Sequence, residues 1–306
     1  MRRPPIKWPH KERIAVIPCI VMETLDEGLG GPGWHQAAFR QPPPNARFKK
    51  ELAVITEHQF GERVGIFRML DLLKAEKIKT SFFMNGSTVE AYPELMKDIL
   101  REGHELASEN WRHEFAMLQT KEEEESDTQR TVATFERVVG IRPEGYISAG
   151  ERPSGDTPSI LVKNGYVYWN AFLHEELPYI LKVGGGELVI LSYGVWLTDR
   201  RTSKDTGYTH REMLQVWKDN FDYLYDEGRR HPSIMILGLH PFLIGRPFRA
   251  LMLREFLRYA KKHKGVWFPR CIDVATFWKE NYHDHQVEKW PNYGTGLPLP
   301  RPGGAP

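Results

Sequence analysis

Three short segments of this chain carry side chains whose types and spacing suit joint chemistry. In Thr24-Leu25-Asp26-Glu27-Gly28, two adjacent carboxylates and a glycine follow the apolar run Ile14 to Met22. Neighbouring carboxylates repel, so they persist where a cation or a shared proton offsets the repulsion; taken alone, the segment reads equally well as a solvated acidic turn. In Ser108-Glu109-Asn110-Trp111-Arg112-His113-Glu114, Glu109 and His113 are four apart. On a helical turn they share a face and can point at one ion, and carboxylate plus imidazole suits Zn, Mn, Fe or Co. A surface ion pair would have the same spacing. In Leu239-His240-Pro241-Phe242, a histidine ends an apolar run. Its ordinary pKa near neutrality suits acid–base work; a satisfied core histidine is the plain alternative.

The elements that must position these groups alternate between strand and helix. Residues 14–22 read as a buried strand, and 30–50, rich in Gly and Pro, as a long irregular loop of the kind that is often functional. A helix is expected over 62–76, a strand at Thr80–Met84, a helix from Pro93 to about Arg101, and a turn and strand over Gly103–Ser108. Residues 120–139 read as a helix whose acidic first turn, Glu122 to Glu125, complements its dipole. Strands at Gly145–Ser148, Tyr166–Trp169 and Leu188–Leu191 are separated by a helix at Thr157–Asn164. Helices follow at 209–227 and 248–263, with strands at Ser233–Leu239 and Gly265–Phe268. The run Ser233–Leu239 is typical of a parallel strand buried on both faces. This order predicts one α/β domain over 1–288 with a parallel sheet and a Pro/Gly-rich tail over 289–306.

Composition bounds the class. The chain has 306 residues, 41% hydrophobic and 27% charged, with a formal charge of +2. That is a soluble globular protein, with no expectation of nucleic-acid or membrane binding. Cys19 and Cys271 make neither a disulfide framework nor a Cys-x-x-Cys metal site. No apolar stretch reaches membrane-spanning length, and the charged N-terminus has no following apolar region, so a cytoplasmic protein is expected.

In chain order, these segments resemble the polysaccharide-deacetylase, or NodB-homology, superfamily, most of all its branch of PuuE-type allantoinases and cyclic imide hydrolases. The resemblance runs roughly from Arg13 to Glu280. It rests on Thr24–Gly28, Phe60–Leu70, Gly103–Ser108, Leu177–Tyr179 and, most specifically, His240-Pro241-Phe242-Leu243-Ile244-Gly245-Arg246-Pro247 with Val266-Trp267-Phe268. It implies a distorted seven-stranded (β/α) barrel. It also implies Asp26 as general base, His240 as the acid that protonates a leaving nitrogen, and Glu27, Glu109 and His113 around one divalent metal ion (Zn, Mn or Fe). Glu109 stands where metal-binding members carry a histidine, so a metal-free mechanism stays open. Ile147 stands where members commonly carry an arginine, which leaves Arg142, Arg152 or Arg246 as substitutes.

The function so implied is hydrolysis of a non-peptide C–N bond in a small cyclic amide, imide or ureide, in a homo-oligomer with a small-molecule substrate. Trp34, Trp111, Tyr146, Trp169 and Trp196 are candidates to wall a pocket for a flat ring, with core packing as the alternative for each. Arg246 is a candidate anion or carbonyl contact. Two other functions stay open: N-deacetylation of a sugar or small amide, and a catalytically silent binding protein.

Overall fold

The computed structural model describes residues 5–24, 45, 47, 52–200 and 207–290. Most of the loop expected over 30–50, and the tail from 291, lie outside them. Along the chain run β1 (Ile14–Met22), α1 (Leu52–Phe60), a π-helical turn (Gly61–Gly65), α2 (Ile66–Ala75), β2 (Ser81–Met84), α3 (Gly86–Ala91), α4 (Pro93–Arg101), β3 (Glu105–Ser108) and α5 (Lys121–Val139). Then come β4 (Gly145–Ile147), α6 (Thr157–Lys163), β5 (Tyr168–Asn170), β6 (Tyr179–Val183), β7 (Gly186–Leu191) and α7 (His210–Glu227). The chain continues through β8 (Ser233–Leu239), α8 (Pro241–Ile244), α9 (Pro247–Lys261), β9 (Val266–Trp267), α10 (Cys271–Asn281) and β10 (Val287–Lys289).

Seven parallel strands lie in the order β7-β5-β4-β3-β2-β1-β8. β6 adds antiparallel to the outside of β7, β10 pairs with β6, and β9 pairs with β1. Among the described residues no ladder joins β7 to β8. At that seam the chain after β7 packs directly on β8. A Cβ on Gly194 would fall 2.5 Å from the Ile236 carbonyl oxygen, and one on Gly238 would fall 1.8 Å from the Tyr193 hydroxyl. Only glycine permits either approach.

Period-two alternation along the strands separates two cores. On β1, Ile14, Val16, Ile20 and Met22 face outward into a cluster with Trp217, Phe221 and Phe256 of the surrounding helices. Ala15, Ile17, Cys19 and Val21 face inward, where Phe83, Ala107, Ile147, Tyr168, Val189 and Ile236 join them. That inner cluster draws on every one of the seven parallel strands, so the sheet curls around it as a distorted (β/α) barrel, the fold class expected from the sequence. Trp8 and Trp278 close its lower end.

Helix ends follow local chemistry. Thr120 with Glu123, and Thr209 with Glu212, form capping boxes that satisfy the first amides of α5 and α7. The helix expected over 62–76 is the second half of a longer one that begins at Leu52 and passes through the π turn. The antiparallel β6–β7 hairpin turns at Gly184 with φ of 55°. Among the described residues no helix is long and apolar enough to cross a membrane.

Candidate active site

At the C-terminal ends of β1, β3, β4 and β8 opens a cavity of about 220 Å³. In α/β barrels this is the end at which catalytic side chains gather. Strand parity carries polar groups into it. Glu23 is the first residue past β1 and continues the inward series Ala15, Ile17, Cys19, Val21. Glu109 continues the inward series of β3, and His240 that of β8. All three line the cavity, with His113.

Glu109 is fixed at the strand end by its amide, which donates to the Met84 carbonyl at 2.9 Å. The segment after it bends instead of forming the expected helical turn. Asn110 is the reason: its Nδ2 donates to the Glu114 carbonyl at 3.2 Å, its Oδ1 accepts from the Tyr146 hydroxyl, and its carbonyl accepts from Asn85 Nδ2 at 3.2 Å. The bend still brings His113 back onto Glu109. His113 Nδ1 lies 3.1 Å from Glu109 Oε1 and 3.0 Å from Glu23 Oε1.

Ligand atoms of Glu23, Glu109 and His113 all lie within 4.8 Å of one another, and Glu109 Oε2 is buried without a hydrogen-bond partner among the described residues. An orphaned buried carboxylate oxygen is costly unless a cation completes it. Two carboxylates and an imidazole with open positions fit a divalent transition metal. The charges in the cluster are strongly linked. Burial alone would raise the Glu23 carboxyl, but the charge and hydrogen bond of His113, with His240 and Arg200 beyond, bring it down to about 2. Burial works against charge on His113, yet Glu23 and Glu109 hold it up to about 10. Glu109 moves the other way: burial, reinforced by the Glu23 charge, raises its carboxyl above the ordinary range.

In the same cavity, His240 is gripped by Asp199, which is fully buried. Asp199 Oδ2 accepts the His240 backbone amide at 2.8 Å, and Oδ1 lies 2.7 Å from Nδ1. This carboxylate fixes the ring's orientation and tautomer, leaving Nε2 as the nitrogen that can exchange a proton. Burial depresses His240, but the charge and hydrogen bond of Asp199 outweigh it and the ring's pKa is raised.

Of the residues expected from sequence, the structure brings together Glu109, His113 and His240. Asp26, Glu27 and Trp34 lie outside the described residues. Trp111 is buried beneath the Arg130 guanidinium, 3.7 Å from its ring, and closes on Gly86. Tyr146 is buried and holds Asn110. Trp169 is buried in a cluster with Leu161 and Leu188, and Trp196 is exposed. Arg246 lies over the Phe60 ring at 3.7 Å. None of these five residues lines the cavity. Of the three candidate arginines only Arg152 does; Arg142 pairs with Glu136 and the Asn164 carbonyl. Sequence reasoning missed Glu23 and Asp199. The inward parity of β1 was a usable signal for Glu23. Asp199 comes from an irregular segment 41 residues before its partner, and nothing local marks it.

Residues 61–169 match the polysaccharide deacetylase family. Among characterised proteins, the chain is similar to the peptidoglycan deacetylase of Helicobacter pylori, with 25% identity over 74% of this chain and 88% of that protein. Among solved structures it is similar to PuuE allantoinase, with TM-score 0.81 and 26% identity over 90% of this chain and 93% of that one. A probable polysaccharide deacetylase from Pseudomonas aeruginosa PAO1 superposes with TM-score 0.80 and 25% identity over 90% and 94%. The protein is a hydrolase of carbon–nitrogen bonds other than peptide bonds. Its segment 61–169 and its fold over nine-tenths of the chain are similar to those of the polysaccharide deacetylase, or NodB-homology, superfamily.

Proposed function

We propose that the protein opens a small cyclic amide, imide or ureide by hydrolysis. The observation that carries this reading is a compact cavity, about 220 Å³, lined together by the Glu23–Glu109–His113 cluster and the Asp199-held His240. That volume suits one small ring. Likeness to PuuE allantoinase over nine-tenths of both chains supports the small-amide branch.

Glu23, Glu109 and His113 would hold a divalent metal, which when bound polarises a carbonyl and makes water more acidic. The chain's own groups do the rest. A carboxylate takes a proton from the attacking water, and motif resemblance assigns this base to Asp26. As the carbonyl carbon gains the hydroxyl, the C–N bond breaks, and His240 Nε2 delivers a proton to the departing nitrogen. In a ring that nitrogen stays tethered to the product. Asp199 stabilises the imidazolium before the transfer and keeps Nε2 aimed afterwards.

A second reading is removal of an acetyl group from an amino sugar. Similarity to the H. pylori peptidoglycan deacetylase across most of that protein favours it. Metal-loaded protein assayed against hydantoin, dihydrouracil and succinimide, and in parallel against N-acetylglucosamine oligomers, separates the two. Ring opening without acetate release supports the first reading; acetate release without ring opening replaces it. Asp26→Asn should abolish turnover without unfolding the protein, and unchanged turnover would remove Asp26 as the base.

A further inference from the structure

Two arginines line the same cavity and the reaction outlined above uses neither. Arg152 follows Gly150 and Glu151, consecutive residues that both have φ of 58°. A non-glycine residue in this region is strained, and such strain persists where the surroundings enforce it. Gly150 packs closely on Phe115: a Cβ there would lie 2.5 Å from its ring. The turn presents the Arg152 guanidinium over the same ring, 4.5 Å from its centroid. Phe115 in turn meets His113 edge-on at 6.0 Å, so Arg152 is positioned relative to the cluster through one rigid aromatic.

Arg200 also lines the cavity, directly after the Asp199 that grips His240, and its charge is felt at both Glu23 and His240. Several arginines elsewhere in the fold pair with carboxylates, Arg137 with Glu90, Arg142 with Glu136, Arg211 with Glu255, Arg258 with Glu76 and Arg270 with Asp273, while others such as Arg130 and Arg246 lie over aromatic rings outside the cavity. Among the described residues Arg152 and Arg200 form no such pair, although Glu23, Glu109 and Glu151 line the same cavity.

We propose that Arg152 and Arg200 are specificity-determining residues that bind a carboxylate carried by the substrate, so that the ring to be opened is an acidic one. A guanidinium fork matches a carboxylate geometrically, and two such groups in the cavity would orient the ring while the cluster's own negative charge is neutralised by its cation. This rests on the reading of the cavity as the reaction site, and it narrows the substrate from any small cyclic amide to one bearing an anionic substituent.

The test compares two probes that differ only in that substituent, hydantoin and hydantoin-5-acetic acid. Calorimetric binding is measured with wild-type protein, Arg152→Gln and Arg200→Gln. The acid should bind wild type at least about tenfold more tightly than hydantoin, and each substitution should remove most of that preference. Equal affinity for the two probes, a preference that survives in both variants, or binding of neither probe would each overturn the proposal. Ring opening is followed separately in the same samples. An acid preference that vanishes in the variants, with neither probe opened, would uphold the arginine site and reject the ring-opening function.

Discussion

Glu105 and Glu109 stand at the two ends of one strand, both inward-facing, both buried, and both with carboxyls raised above the ordinary range. Their surroundings differ. Glu105, at the lower end, is saturated: Ser81 Oγ and the Tyr168 hydroxyl donate to it, the latter at 2.7 Å, and the Ile272 amide donates at 3.1 Å. Glu109, at the mouth, shares a single imidazole with a second carboxylate and leaves Oε2 without a partner among the described residues. A buried carboxylate whose lone pairs are met by fixed donors knits the barrel floor to α10. One left short of donors is costly in the resting protein and is kept where a ligand completes it. Burial and a raised pKa alone would not tell the two apart; the count of donors does.

Four substitutions bear on this contrast. Glu109→Gln should lower turnover by about a hundredfold or more with little change in thermal midpoint, whereas full activity would place Glu109 with Glu105 among structural groups. Asp199→Asn should cost about a hundredfold in kcat, since an amide cannot hold the imidazolium; a loss confined to KM would show that His240 is not the proton donor. Glu105→Gln should reverse the Glu109 pattern, lowering stability by about 1–3 kcal/mol in denaturant unfolding while the folded enzyme keeps its kcat. An effect on stability of the same size is expected at Gly65, in the π turn, where a Cβ would fall 2.1 Å from the Pro241 carbonyl oxygen beside His240. Gly65→Ala should cost about 1–3 kcal/mol through overpacking, and a kcat loss beyond the stability loss would show that the π turn positions the acid.

pH dependence sharpens the comparison further. His240 is raised by Asp199. As the acid it is competent below its folded pKa, so turnover should fall as pH rises through a value above the ordinary 6.5, and Asp199→Asn should move that limb downward. The linked stability has the same sign: it is fully present below the unfolded pKa of about 6.5 and lost as pH rises through the folded one. An alkaline limb unmoved by Asp199→Asn would assign the titration to another group.

Much of this was legible in the residues. The apolar runs of β1 and β8 marked two neighbouring buried strands, and His240, as the first polar residue after β8, stood out as an acid–base candidate. Glu109 and His113 were readable as a pair, although the bend that joins them depends on Asn110, Tyr146 and Asn85, contributed by three separate strand ends. Glu23 was overshadowed by the adjacent acidic pair Asp26–Glu27, even though strict alternation from Ala15 to Val21 aims it inward. Asp199 had no local signal, because only the packing of the segment after β7 onto β8 brings it to His240. The pocket aromatics failed for the opposite reason. Large rings are needed to pack helices against the outside of the sheet: Tyr146 and Trp169, with parity opposite to the inward Ile147 and Tyr168, join Val132 and Leu161 there, and Trp111 packs on Gly86 and Arg130.

The most direct measurement is the metal content of the purified protein, by elemental analysis against protein concentration, for wild type, Glu23→Gln and Glu109→Gln. About one Zn, Mn or Fe per chain in wild type, lost in both variants while they remain folded, is the expected result. A wild-type protein that stays metal-free after incubation with these ions, yet hydrolyses its substrate, would contradict the assignment of Glu23, Glu109 and His113 as a metal site.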